Sequence, residues 1–222
     1  MAVPAREIRP VHAAFGALGD AWRSGAFWLL FGSFFVCGLS TNGLVQTHFV
    51  SAAHDHAITA STAAGYLALI GIFDVIGTIG SGVLTDRYDP RRLLVAYYLL
   101  RGLSLLVIDP ALEMRGAGLL AFMVFYGLDW VATVPPTVAI CIDQFGSMQG
   151  PLVYGWVFAG HQMGAAVAAW GAGELRDVTG SYRPAFVISG ACCIVAAAWV
   201  TRIRHRPARE PSPAMAPVPS GG

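Results

Sequence analysis

The stretch GSGVLTDRYDPRR, residues 80–92, changes within a few positions from small and apolar residues to a cluster of two aspartates and three arginines. The apolar run before it contains one acid, Asp74, and another apolar run follows it. Apolar runs of this kind are typical of helices that cross a lipid bilayer. The stretch therefore predicts a short, charged connection between two membrane-spanning helices.

The composition of the whole chain agrees with this interpretation. Of 222 residues, 55% are hydrophobic, only 12% are charged and none is a lysine, and the mean hydropathy is +0.59. So few charged residues cannot cover the surface of a soluble domain of this size. The formal net charge of +1 also argues against a nucleic-acid-binding surface. We therefore predict an all-α integral membrane protein.

Six apolar segments are long enough to cross a hydrocarbon core of about 30 Å, which takes about 20 residues per helix. The predicted spans are residues 27–50, 63–84, 93–108, 118–142, 153–173 and 185–200. Turn residues separate several of them, at Asp89–Pro90, Asp109–Pro110, Gly150–Pro151 and Gly180–Ser181.

Three regions follow from this division. Residues 1–25 are expected to be a cytoplasmic or interfacial segment, in which 11–22 forms a weakly amphipathic surface helix. Residues 26–203 are expected to form the six-helix transmembrane domain, and residues 204–222, rich in proline, alanine and serine, a disordered cytoplasmic tail. We expect no cleaved signal peptide, because the first apolar run is too long, and no disulfides, because all four cysteines lie in spans.

The arginines predict the orientation, because cytoplasmic loops carry an excess of positive charge. Six spans place both termini on one side of the membrane. Three arginines fall on the opposite side, at Arg115, Arg176 and Arg183. Ten fall on the side of the termini, at Arg6, Arg9, Arg23, Arg87, Arg91, Arg92, Arg202, Arg204, Arg206 and Arg209. Both termini are therefore predicted to be cytoplasmic.

The charged connection itself has two interpretations. Any short cytoplasmic loop collects arginines, and this explanation needs no further function. Alternatively, the loop forms a gate contact that is made in one conformation and broken in another, because its carboxylates can pair with arginines or cap a helix. The residues of this second interpretation are Gly82, which allows close helix approach, and Asp86, Arg87, Arg91 and Arg92.

The segment GVLTDRYDPRR resembles the cytoplasmic signature loop of the major facilitator superfamily, Gly-x-x-x-Asp-Arg-x-Gly-Arg-Arg. Gly82, Asp86, Arg87 and Arg91 match it, whereas Asp89–Pro90 departs from it. Two other segments are similar to the superfamily, 172–186 to the outer loop before the last helix and 127–146 to the tenth helix with its kinking proline. The resemblance covers about residues 26–203 and implies the carboxyl-terminal six-helix half of a transporter fold.

Within the superfamily, the second span is similar to the eighth helix of the monocarboxylate and oxalate-formate transporters. The resemblance implies a substrate and proton site at Asp74, whereas Thr78 stands where that group has an arginine. From the residues alone, Asp74 is the first candidate to carry a proton, because an acid inside a membrane is costly and is usually functional. The alternative is a structural hydrogen bond within the bundle.

Three further polar residues lie within predicted spans. Arg101 stays charged and needs an acid, so an ion pair with Asp129 is slightly favoured over direct substrate contact. Near Asp129, Pro135 and Pro136 predict a bend that presents backbone carbonyls to a cavity, or simply a fixed kink. His161 either relays protons or is a packing residue. We place Asp74, Arg101, Asp129 and His161 in a substrate and proton pathway.

The remaining features argue against other classes of protein. No phosphate-binding loop, metalloprotease motif or nucleophile with a base at fixed spacing is visible, so we predict no enzyme, no catalytic residue and no cofactor. The segment SAAHDHA, 51–57, is interpreted as a solvated loop and not as a metal site, because one short loop supplies too few ligands.

Two hypotheses for function remain. The first is a half-size secondary transporter in the bacterial plasma (inner) membrane, which moves a small organic anion with protons. It would need a homodimer or a separate six-helix partner. The second is a non-transporting relic or a helical subunit of a full transporter. Both place the chain in a lipid bilayer.

Overall fold

The computed structural model describes residues 10–114 and 116–204, in which all regular structure is helical. The elements are α1 (Pro10–Ala21), α2 (Gly25–Gly38), a π-helical segment (Leu39–Gln46), α3 (Thr47–Asp55), α4 (Ala60–Arg87), α5 (Pro90–Met114), α6 (Ala117–Asp129), α7 (Val134–Thr179) and α8 (Arg183–Val200). Some predictions lie outside the described residues: the tail from 205 onward and the charges of Arg6, Arg9, Arg115, Arg206 and Arg209.

Five helical runs are long and apolar enough to cross a membrane, and one of them, residues 117–179, has 63 residues. At 1.5 Å per residue this run is far too long for one crossing. It reverses at Gly146, whose φ of 85° lies in the left-handed region that glycine tolerates best. After the reversal, a Cβ on Gly150 would lie 2.7 Å from the Cα of Ile142. The run therefore forms two antiparallel spans, and six spans are present as predicted.

The six spans are residues 25–55, 60–87, 90–114, 117–145, 147–179 and 183–200. Two predicted turns are wrong. The third span continues through Pro110 to Met114, because one proline removes only a single helical hydrogen bond. The turn predicted at Gly150–Pro151 is at Gly146, and Pro151 lies inside the helix that follows.

Small residues set the closest contacts between spans. The first and fifth spans meet where Gly38 lies against the backbone of His161, and the third and sixth where Gly102 faces Gly190. In lipid, such contacts contribute through close van der Waals packing, since the tails are as apolar as the side chains. The spans therefore cross almost backbone to backbone at these points.

The start of the first span and the end of the sixth lie at the same end of the bundle. A Cβ on Gly32 would lie 3.0 Å from the ring of Trp199, and Arg91 donates a hydrogen bond of 3.3 Å to the carbonyl of Arg204. We call this the loop end, because it holds the connection at residues 88–89, and the other end the opposite end. The side of the membrane that each end faces stays a prediction.

A helix is present where residues 11–22 were predicted to lie at the membrane surface, as α1, and its interfacial position stays a prediction. It lies against the fifth span, where Trp156 donates a hydrogen bond of 2.9 Å to the carbonyl of Ala14 and its ring centroid is 5.3 Å from that of Phe15. α1 therefore packs along the bundle near the loop end.

Candidate functional site

The fourth span is broken in its middle. α6 ends at Asp129 and α7 begins at Val134, with residues 130–133 forming a turn that we call the broken turn. Pro135 and Pro136 follow in the first turn of α7. Because proline has no N–H group and its ring crowds the preceding helical turn, the helix cannot run through this point undisturbed. The predicted bend is therefore present as a break that leaves backbone groups without helical partners.

Side chains from other spans donate hydrogen bonds to carbonyl groups in the broken turn and in the residue before it. Arg101 donates hydrogen bonds of 2.5 Å to the carbonyl of Asp129 and 3.1 Å to that of Trp130. Ser81 donates one of 2.6 Å to the carbonyl of Ala132. Unsatisfied carbonyls within a bilayer cost several kcal/mol each, on the order of a lost hydrogen bond in hydrocarbon. The second and third spans thus make the break possible.

The same arginine forms the predicted ion pair. Arg101 is fully buried, and its Nε donates a hydrogen bond of 2.6 Å to Oδ2 of Asp129, which is 4% exposed. The guanidinium also donates to the thiol of Cys37 at 3.0 Å, and this thiol lies 3.3 Å from the hydroxyl of Thr133. Oδ1 of Asp129 is buried and has no hydrogen-bond partner among the described residues. The pair joins the first, third and fourth spans.

Asp74 approaches the broken turn from the second span. Its Oδ1 accepts hydrogen bonds from the backbone N–H of Val131 at 3.0 Å and from the hydroxyl of Thr78 at 3.2 Å. The Val131 N–H is available because the helix is broken there. The Asp74 carboxylate is half-buried and borders a cavity of about 250 Å³. The cavity is lined by Gln46, Leu67, Ile70, Gly71, Asp74 and Trp130.

His161 lies apart from this cavity. Its ring stacks on Phe158 with centroids 5.3 Å apart, and its Nδ1 is 3.2 Å from the side-chain oxygen of Gln162. It also lies near Cys37, whose thiol accepts a hydrogen bond from Arg101 of the buried pair. The structure thus brings together Asp74, Arg101 and Asp129 at the broken turn, and places His161 in an aromatic packing environment beside them.

The loop end is organised around Arg91. Its guanidinium pairs with Asp143 of the fourth span, and its backbone N–H donates a hydrogen bond of 2.9 Å to Oδ1 of Asp89. Asp89 therefore caps the start of α5, with Pro90 as the first helical residue, a position that proline favours. The Asp89–Pro90 departure from the superfamily pattern is thus a helix cap.

The other residues of the predicted gate motif take no part in the Arg91–Asp143 ion pair. Asp86, Arg87 and Arg92 are exposed, and no heavy atom of the residues that the structure describes lies within 4 Å of the position that a Cβ on Gly82 would take. In this conformation Gly82 lies off the stripe of α4 that packs against the bundle, and its part in a gate stays a prediction. Asp143, which the sequence did not single out, takes the central place.

We expect the Arg91–Asp143 pair to contribute about 0.5–1 kcal/mol to stability, because it is partly exposed to solvent. A double-mutant cycle with Arg91→Gln and Asp143→Asn, measured by unfolding in detergent, gives the coupling free energy. The matched control pairs Arg91→Gln with Asp86→Asn, for which no coupling is expected. Equal coupling in both cycles would show that the pair has no specific effect.

The fold and the site define the class of the protein. Six apolar spans alternate in direction, the fourth is broken, and a buried ion pair joins the third and fourth. These features are those of a helical protein that crosses the membrane several times. The sequence model of the Major Facilitator Superfamily matches residues 30–220, and the chain belongs to this superfamily.

The relatives agree with this assignment. An uncharacterized MFS-type transporter of Bacillus subtilis, YcxA, is 26% identical over 200 residues, which are 84% of this chain and 47% of the relative. Monocarboxylate transporter 13 of Bos taurus is 29% identical over 160 residues, which are 71% of this chain and 37% of the relative. These relatives are transporters, and the chain is not an enzyme.

The fold is also that of solved transporters. The crystal structure of the transporter FucP in the outward conformation superimposes with a TM-score of 0.63 at 20% identity, covering 92% of this chain and 50% of FucP. The predicted six-helix half is therefore confirmed as a fold. The chain spans about half the length of the relatives that it matches, or less.

Proposed function

We propose that the chain forms one six-helix half of a secondary active transporter, which moves a small organic anion such as a monocarboxylate together with protons. The observation that carries the proposal is the position of Asp74. Its carboxylate lies midway along the second span, half-buried, beside a cavity and in contact with a broken helix. Transporters commonly place their sites at broken helices near the bilayer midplane.

Proton binding at Asp74 has a mechanical consequence in this arrangement. The ionised carboxylate accepts a hydrogen bond from the N–H of Val131, and a charged acceptor makes a stronger bond than a neutral one. Protonation therefore weakens the contact between the second and fourth spans. We infer that the charge state of Asp74 controls how firmly these two spans are held together.

We assign Arg101 and Asp129 to positioning the broken turn. The charge of Arg101 is compensated by Asp129, and its donors already serve two carbonyl groups and a thiol. Among the described residues that line the cavity at Asp74, none is an arginine. A cation for the anionic substrate would therefore come from another six-helix unit or from a rearranged Arg101.

The second span offers a surface for such a unit. Only three of its residues are buried, and it exposes an apolar face between residues 72 and 83 that includes Ile72, Ile76 and Ile79. Alternating access requires two opposed bundles. We propose that a second six-helix unit, a copy of this chain or a separate chain, faces this surface and completes the cavity.

The second hypothesis, a non-transporting relic or a subunit that modulates a full transporter, remains the alternative. The retained site does not exclude it, because a truncated protein keeps its sequence for some time. The cytoplasmic placement of the loop end, the bacterial plasma membrane, and the interfacial and tail segments at 1–25 and 204–222 are also part of the proposal.

We expect the Asp74→Asn variant to lose uptake driven by a proton gradient by about tenfold or more, in the range of typical coupling free energies of 1–3 kcal/mol. The measurement is uptake of a radiolabelled monocarboxylate such as lactate into vesicles containing the purified chain, with an imposed pH gradient. Asp177→Asn is the control, because this side chain is 78% exposed. Uptake that Asp74→Asn leaves unchanged would remove Asp74 from proton coupling, and a wild-type chain that shows no uptake either alone or with a six-helix partner chain supplied would favour the second hypothesis.

A further inference from the structure

A second cluster of polar side chains lies at the opposite end of the bundle, away from the broken turn. His56 comes from the connection between the first and second spans, and Asp109 and Glu113 from the last turns of the third. One potential ligand atom of each residue lies within 4.8 Å of the other two. Asp109 and Glu113 are four residues apart on α5 and so share one helix face. The three side chains therefore converge from two elements.

The ring of His56 is oriented for coordination. Its Nδ1 lies 2.9 Å from the carbonyl oxygen of Ala52. A carbonyl oxygen can only accept, so Nδ1 carries the proton of this hydrogen bond. Nε2, on the other side of the ring, is then the atom that would bind a metal ion. A backbone carbonyl in this role is the usual partner of a metal-binding histidine, because it fixes the tautomer and the ring orientation.

Nε2 of His56 faces a carboxylate. The distance from Nε2 to Oδ1 of Asp109 is 3.7 Å, and Asp109 is 9% exposed. With a proton on Nε2 this contact is an ion pair, and a metal ion that replaces the proton would bind both atoms. Arg183 approaches the other oxygen of this carboxylate, with its Nε 3.9 Å from Oδ2, and its own side chain is 73% exposed. Oδ1 therefore remains directed towards His56.

We propose that His56, Asp109 and Glu113 bind a divalent transition-metal ion, with zinc as the best match. Imidazole nitrogen favours zinc over magnesium and calcium, and zinc also accepts carboxylate oxygen. Three protein ligands and one water complete a tetrahedral shell. Two ligands at about 2.1 Å from zinc lie at most about 4.2 Å apart, so the exposed Glu113 moves inwards by a small rotation when the ion binds.

The site would act at the end of the bundle that the proposed transport cycle has to open and close. A bound ion ties the connection after the first span to the end of the third span. It would hold these two elements in the arrangement seen here.

The sequence pointed away from this site. The segment SAAHDHA was predicted to be a solvated loop, but its residues 51–55 belong to α3 and His56 is partly buried. Asp55 is exposed and pairs with Arg176 through two hydrogen bonds of 2.8 and 3.0 Å. The two carboxylates that accompany His56 lie more than fifty positions further along the chain. The prediction that this segment holds no metal therefore considered the ligands of one loop only.

The test is zinc binding to the purified wild-type chain in detergent, after removal of any histidine tag, by equilibrium dialysis with radioactive zinc. We expect one strongly bound ion per chain. His56→Gln and Glu113→Gln are each expected to weaken the binding by about tenfold or more. His54→Gln is the matched control, because this exposed histidine lies two residues from His56, and its affinity is expected to be unchanged.

Two results would overturn the proposal. One is a wild-type chain that binds no zinc at micromolar concentrations. The other is an equal loss of affinity in His54→Gln and His56→Gln, which would mean that exposed histidines bind the ion without a defined site. Unfolding curves without zinc for each variant show whether the fold is intact. Because the readout is binding, its result is independent of whether the chain transports anything.

Discussion

Replacing Asp129 with asparagine is expected to destabilise the folded chain by about 3–5 kcal/mol, because it leaves a fully buried arginine without a counter-charge. Asparagine has nearly the same shape as aspartate, so the change isolates the effect of the charge. The cost of a charged group inside a membrane adds to it. The measurement is the free energy of unfolding in mixed micelles, followed by tryptophan fluorescence.

Two further variants make this result specific. Asp177→Asn removes an exposed carboxylate and is expected to change stability by less than about 0.5 kcal/mol. The double variant Arg101→Gln with Asp129→Asn is expected to recover part of the loss, because no unpaired charge remains and the glutamine amide can donate to a carbonyl of the broken turn. A loss below about 1 kcal/mol in Asp129→Asn would contradict the importance of the ion pair.

Replacing Gly164 with alanine is the second change with a large expected effect. A Cβ at this position would collide with the backbone carbonyl of Phe35 in the first span. Backbone cannot rotate away as a side chain can, so the first and fifth spans have to separate. We expect a loss of about 3 kcal/mol or more, at the upper end of what overpacking costs.

The fifth span also provides the control for this variant. Gly155 is exposed, and a Cβ there would have no neighbour within 4 Å. Gly155→Ala is therefore expected to stabilise the chain by up to about 1 kcal/mol, since alanine favours helix over glycine. Unfolding in detergent measures both variants under the same conditions. Changes of the same sign at the two positions would contradict the close contact between the spans.

The sequence predicted what depends on local composition and on the cost of a charge in lipid. The six spans follow from apolar length. Arg101 is permanently charged and requires an acid nearby inside a membrane, which predicts its pairing with Asp129. Two adjacent prolines predict the break. These predictions required no knowledge of which spans are neighbours.

Contacts between spans could not be predicted, because they depend on which spans are neighbours in the fold. The contact of Arg91 with Asp143 and that of Asp74 with the N–H of Val131 each join separate spans. The lack of close neighbours around Gly82 has the same origin, because a glycine in a helix does not indicate which face is packed. The convergence of Asp109 with His56 likewise appears only in the folded chain.

The broken turn has a consequence for how this protein can change over evolutionary time. Its backbone groups make the hydrogen bonds to three side chains of neighbouring spans: the N–H of Val131 donates to Asp74, and two carbonyl groups of the turn accept from Ser81 and Arg101. Val131, for example, contributes an N–H that every residue except proline also has. The residues that fix the turn therefore lie on its neighbours, so substitutions can accumulate within the turn at positions such as Val131 while the second and third spans hold its shape constant.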